Sequence, residues 1–190
     1  MSLEPDPAGE FIDACVERPD EARRMAAADP SVLYLEKLGS PMLHWFVIED
    51  FPAAAALVIE LGVPVDHLDD SGQTALHCAS MLGRLGCARV LLKAGADANA
   101  YSEQFLENPL NLAVSGQHVD VATLLIDAGA KADYQLPTGE TVFNTLSRTD
   151  DATRELLTDY LAERGVTREG LFAQLGLGEH YDSVDAAFDW

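Results

Sequence analysis

The stretch SGQTALHCASMLGRLGCARVLLKAGADANA, residues 71–100, decides the architecture, because its pattern returns on both sides of it in the chain. Gly39, Gly72, Leu106 and Gly139 stand at one phase, separated by 33, 34 and 33 residues. Leu43, Leu76, Leu110 and Phe143 repeat the same steps, and Gly62, Gly95 and Gly129 form a third register in which each glycine closes an apolar helical run. Three phases that agree over a period near 33 residues define a stacked repeat, in which each unit buries its apolar face against its neighbours.

Within the unit, the Thr74 hydroxyl is suited to cap a first helix whose Ala75, Leu76 and Ala79 face inward. Gly83 fits a left-handed turn between two helices, and ARVLLKAG supplies a second helix that ends on Gly95, with Leu91 and Leu92 as core. The segments leading away from that glycine, GVPVDH at 62–67, GADANA at 95–100 and GAKADY at 129–134, then run into loops.

At TALHCA, residues 74–79, the chain resembles the ankyrin-repeat family, whose unit carries a TPLHxA signature, a turn, two antiparallel helices and a β-hairpin finger. The other copies read PMLHWF at 41–46, NPLNLA at 108–113 and TVFNTL at 141–146. The resemblance covers about residues 10–165 and implies an all-α solenoid: about four full repeats of helix-turn-helix units with finger loops, behind an N-terminal capping helix pair. The expected divisions are a flexible N-terminus over 1–9, the capping pair over 10–38, repeats at 39–71, 72–105 and 106–138, a modified C-terminal repeat at 139–165 and a helical tail at 166–190. A small stand-alone member of bacterial type is expected.

The departures are specific. Asn111 and Asn144 replace the signature histidine, Asp50 and Gln117 replace the interhelical glycine, and Trp45 and Phe46 stand where the family has small residues, which predicts less regular units there. The finger AYSEQFLENP at 100–109 is one residue longer than its neighbours. The last unit spends 22 residues between Phe143 and Gly165 where earlier units spend 19, so its interhelical turn around 148–152 is enlarged. The tail offers Leu171, Phe172, Leu175, Phe188 and Trp190 either to seal the last repeat or to dock a partner.

Composition limits the functions available. The chain has 190 residues, 48% hydrophobic and only 7% aromatic, with 12 Lys plus Arg against 32 Asp plus Glu and a net charge of −20. That charge disfavours nucleic acid and anionic lipid and favours a protein partner with a basic or neutral surface. Cys15, Cys78 and Cys87 show neither CxxC spacing nor an even-numbered framework, which suits reduced thiols in the cytoplasm. No run reaches 18 apolar residues and the acidic N-terminus does not resemble a secretion signal, so neither a membrane span nor export is expected.

No catalytic, metal or cofactor constellation is found. The resemblance assigns His44 and His77 to the signature position, where imidazole hydrogen-bonds between repeats. Adjacent His77 and Cys78 point about 100° apart on a helix and suit no common zinc site. His67 lies in the acidic finger DHLDDSG, which lacks the EF-hand ligand pattern, and GLGEHY at 176–181 lacks the third glycine of a dinucleotide loop. The expectation is a non-enzymatic adaptor or inhibitor, without cofactor or metal and monomeric, binding another protein through the concave face and fingers. The alternatives are a regulatory scaffold docking through the tail, and a metal-dependent hydrolase. By the family's variable positions the candidate contacts are Leu68, Asp70, Met81, Leu82, Tyr101, Phe105 and Leu136.

Overall fold

A computed structural model describes residues 6–104, 106–132, 139, 141–167 and 169–170. Two helices, α1 (Pro7–Glu17) and α2 (Pro19–Ala28), lead through a 3-10 turn (Pro30–Tyr34) to a hairpin of β1 (Glu36–Lys37) and β2 (Ser40–Pro41). Four helix pairs follow. Each has an inner helix, α3 (Met42–Ile48), α5 (Ala75–Met81), α7 (Pro109–Ser115) or α9 (Val142–Leu146), and an outer one, α4 (Pro52–Glu60), α6 (Leu85–Lys93), α8 (Val119–Asp127) or α10 (Asp151–Ala162). Inner helices pack in the order α3, α5, α7, α9, and outer ones in the order α4, α6, α8, α10. The stacked solenoid with a small antiparallel hairpin is therefore the fold.

The period is written in how the helices end. Phe51 N–H bonds back to the Phe46 carbonyl at 2.8 Å, Arg84 to Ala79 at 2.8 Å and His118 to Ala113 at 2.9 Å, each across one left-handed residue. Outer helices do the same: Val63 to Val58 at 3.0 Å, Ala96 to Leu91 at 3.0 Å and Ala130 to Leu125 at 2.9 Å. This six-to-one bond with a left-handed residue after the helix is the Schellman stop. Gly83 holds φ 67°, and Asp50 and Gln117 adopt 61° and 59° in its place without being glycine. These substitutions leave the three-residue turns at 49–51, 82–84 and 116–118 alike. The last pair differs: its turn is four residues, 147–150, and α10 has 12 residues where α4, α6 and α8 have nine.

The two signature histidines differ in what they bind: His77 caps its own helix, while His44 bridges to the next repeat. In α5, the Thr74 hydroxyl and N–H meet Nδ1 of His77 at 2.8 and 3.2 Å, closing a capping box. His44 reaches the next repeat, its Nε2 donating to the Gln73 carbonyl at 3.0 Å. Asn144 rebuilds the same box: its Oδ1 accepts from the Thr141 N–H at 2.9 Å and hydroxyl at 2.8 Å, standing in for an imidazole nitrogen. In α7 the cap comes from Asn108, whose Oδ1 accepts the Asn111 N–H at 2.9 Å. The expected irregularity at Asn111 and Asn144 thus spares the helix starts.

Phe46 occupies the place of Ala79 and is fully buried. The α3–α4 pair combines it with buried Ala54 and Ala55, while α5–α6 combines Ala79 with Cys87 and Ala88. Trp45 is half-buried, stacked on Phe51 at 6.1 Å and edge-on to Phe46 at 5.6 Å. At the N-terminal end, α1 starts at Pro7, capped by Asp6, ahead of the boundary at residue 10. It packs on α4 and the first hairpin, and Arg23 of α2 pairs with Glu60 at 3.2 Å. The tail positions Leu171, Phe172, Leu175, Phe188 and Trp190 lie outside the described residues.

Candidate binding surface

The fingers are rigidly built. In the second, the Asp69 carboxylate accepts the N–H groups of Ser71 and Gln73, both at 2.9 Å, so the acidic DHLDDSG segment uses a carboxylate as a turn cap. An isolated bridge pairs Leu68 with Thr74, and another pairs Ser102 with Glu107 in the third finger. Successive loops are also tied together: Asp66 accepts the Asp97 N–H at 3.2 Å, and Asn99 accepts the Lys131 N–H at 2.7 Å while donating to the Gly129 carbonyl at 3.1 Å.

At the opposite ends of the inner helices a second set of ties recurs. Arg84 Nη2 donates to the Ile48 carbonyl at 2.8 Å, and His118 Nε2 meets the Met81 carbonyl at 3.1 Å. The backbone beneath Met81 is therefore held while its side chain is free to serve elsewhere.

Of the residues expected to touch a partner, Leu68 is 55% exposed, Met81 45% and Leu82 37%. Asp70 is exposed, and Tyr101 is half-buried with its hydroxyl out of solvent. Phe105 and Leu136 lie outside the described residues. Met81 and Leu82 sit together at the end of α5, whereas Leu68 lies at the finger that precedes that helix, so the three flank one inner helix from both ends. An exposed apolar pair such as Met81 and Leu82 is the kind of surface that protein contacts bury.

Two exposed leucines of the fingers lie outside the family's variable positions. Leu38, at the hairpin tip, is 92% exposed, and Leu106, in the third finger, is 43% exposed. The available signal for Leu38 was an apolar residue inside a two-residue hairpin loop before Gly39.

The nucleophiles and bases are placed for packing. Burial pushes the thiols of Cys15 and Cys87 up to about 12 and that of Cys78 up to about 11, with the Asp50 carboxylate adding to the effect at Cys87. All three cysteines are unpaired to one another and buried. Burial likewise lowers the imidazoles of His44 and His77 below 6.5, against the opposing pull of the Gln73 carbonyl on His44 and of the Glu107 and Ala100 carbonyls on His77. Nε2 of His77 lies near those carbonyls but outside full hydrogen-bond geometry. Among the described residues, no group of three or more His, Cys, Asp and Glu converges on a point where a metal ion could sit. No helix among them is long and apolar enough to cross a membrane.

Comparison with known proteins agrees with this geometry. A family model described as "Ankyrin repeats (3 copies)" matches residues 22–102 and 43–136. The mouse protein phosphatase 1 regulatory subunit 27 is 32% identical over 115 residues, 60% of this chain and 73% of that protein. A putative ankyrin repeat-containing protein of Treponema pallidum is 40% identical over 93 residues, 48% of this chain and 31% of the relative. The chicken nuclear factor NF-kappa-B p105 subunit is 26% identical over 167 residues, 85% of this chain but only 16% of the relative. The chain thus spans less than a third of two of these relatives and about three quarters of the other. With the 33-residue period, the Schellman stops, the Thr-to-His capping box and a matching family model over most of the array, the chain belongs to the ankyrin-repeat family.

Proposed function

We propose that this chain is a non-enzymatic protein-binding module, an adaptor or inhibitor that holds its partner along the concave face and fingers. Ankyrin repeats are in general protein–protein interaction modules, and the relatives named as regulatory or factor subunits are compatible with that use. The observation that carries the reading is the contrast in exposure. Leu68, Met81 and Leu82 face solvent on a framework whose thiols and signature imidazoles are buried. Asp70 beside Leu68 adds charge at the edge, which tunes encounter rate and specificity more than affinity. Tyr101, Phe105 and Leu136 extend the same surface in this reading. A net charge of −20 selects a partner with a basic or neutral surface, and three unpaired buried thiols suit action as a monomer in the cytoplasm.

The test is affinity capture from the native host with the wild type and with Met81→Asp/Leu82→Asp, followed by identification of the retained protein. The expected result is one partner held by the wild type and lost by the variant, with both proteins melting alike. Equal capture by the two would refute this surface, and unfolding of the variant would show that both side chains are structural.

A further inference from the structure

Leu38 and Leu106 share two costs that folding does not recover. Both are L-residues in the left-handed region, at φ 55° and 57°, which is disfavoured by about 1–2 kcal/mol per residue. Leu38 is almost wholly in water and Leu106 is 43% exposed, so burial offsets none of the strain at the first and only part of it at the second. The positions have a cheaper solution within this molecule: the phase of Leu106 is held by glycine at Gly39, Gly72 and Gly139, at φ 78°, 67° and 85°. A hairpin whose two loop residues both need positive φ ordinarily takes Asn-Gly or Asp-Gly, and here takes Leu38-Gly39. An exposed side chain kept at the expense of the backbone points to a use outside the fold.

The two leucines sit on the first and third fingers, and the second finger carries exposed Asp70 between them. The described finger residues are acidic at Glu36, Asp69, Asp70, Glu103 and Glu107. The one lysine or arginine of these three fingers, Lys37, is paired with Asp6 at 2.5 Å. The fingers lead directly into α3, α5 and α7, which pack side by side, so they step by the inter-helix spacing of about 8–10 Å. Seven residues of α-helix rise about 10.5 Å, close to one step of that comb.

We propose that Leu38, Asp70 and Leu106 form a finger-tip comb that docks an amphipathic cationic helix lying along the stack, with apolar residues near i and i+14 and a lysine or arginine near i+7. The proposal rests on the protein-binding reading and names its partner's chemistry. A helix is favoured over a strand because the tips present side chains, whereas strand addition draws its affinity from an open row of backbone groups. The acidic fingers repel an anionic membrane, the other surface that exposed leucines could enter.

The experiment uses the intact protein and a labelled synthetic helix of 18 residues, roughly five turns, with Leu at its second and sixteenth positions, Lys at its ninth, and Ala and Gln elsewhere. Fluorescence anisotropy should show saturable binding, weakened at least tenfold by Leu38→Gly/Leu106→Gly, whose melting temperature should rise because glycine relieves both strained positions. Asp70→Asn should weaken binding less and flatten its salt dependence. The proposal is overturned if the wild type does not bind the helix, or if the double glycine variant binds it within twofold. It is equally overturned if that variant melts lower, if a proline-interrupted peptide of the same composition binds as well, or if phosphatidylserine vesicles are bound instead. Should Leu38→Gly/Leu106→Gly retain the host partner that Met81→Asp/Leu82→Asp loses, the comb fails while the concave face stands. Retention by both variants rejects both.

Discussion

The second repeat and its two neighbours adopt the same turns from different residues. In the second, Gly83 holds the left-handed position and Thr74 meets His77 in the capping box. On either side, Asp50 and Gln117 adopt the same left-handed conformation, and in the first repeat Phe46 is fully buried at the place that Ala79 holds in the second. The difference teaches that the repeat is enforced by stacking and by the helix-stop hydrogen bonds, so a unit can lose a signature residue and keep its backbone, at a local cost in conformational energy.

The sharpest way to break the comparison is at the core. Phe46→Ala should destabilise the protein by about 3–5 kcal/mol, because the α3–α4 pair is filled by a full aromatic ring that alanine cannot replace. Denaturant unfolding checks this, and a loss below 1 kcal/mol would mean that the first pair collapses onto an alanine as the second one does.

Gly83→Ala comes next, at about 2–3 kcal/mol, combining left-handed strain with the loss of one hydrogen bond. A Cβ there would meet Nδ1 of His118 at 2.5 Å and dislodge the ring that ties Met81. His118→Ala alone should cost only the hydrogen-bond share, and an equal loss in both variants would remove the strain from the account.

The imidazoles give a pH signature. His44 and His77 have pKa values depressed by burial in the folded protein, so the unfolded chain binds more protons as pH falls below about 6.5. Stability from both groups is complete above that pH and is lost as pH falls toward their folded values. His77→Asn, which should keep the box as Asn144 does, is expected to flatten stability against pH in that window with a modest loss at pH 8; an unchanged slope would assign the acid sensitivity elsewhere.

The smallest effect is a gain. Gln117→Gly should stabilise the protein by about 0.5–1 kcal/mol, the left-handed strain relieved less the added entropy of the unfolded chain. Asp50→Gly should gain less, because Asp50 also lies 4.0 Å from Arg84 and accepts from the Cys87 thiol at 3.6 Å.

These residues also show what a sequence can disclose. Gly62, Gly95 and Gly129 were legible because a left-handed helix stop selects glycine strongly, and their spacing carried the fold. Asp50 and Gln117 were legible only through their phase, since neither residue type announces the conformation it adopts. The candidate surface was legible in part: Met81 and Leu82 follow from their place at the end of the inner helix. Leu38 was missed because the exposure of a hairpin tip depends on which side the neighbouring chain covers. Tyr101 is half-buried at the start of the third finger, beside the Ser102–Glu107 bridge, a placement its residue type does not announce.

The central claim is that a regular, replaceable framework carries exposed apolar residues that confer specificity. The most direct measurement is the affinity of the captured host partner for the wild type and for Met81→Asp, with denaturation midpoints recorded on the same samples. The account predicts affinity weakened at least tenfold, about 1.4 kcal/mol, and unfolding free energy changed by no more than about 0.5 kcal/mol. Unchanged affinity, or a loss of stability as large as the loss of binding, would contradict it.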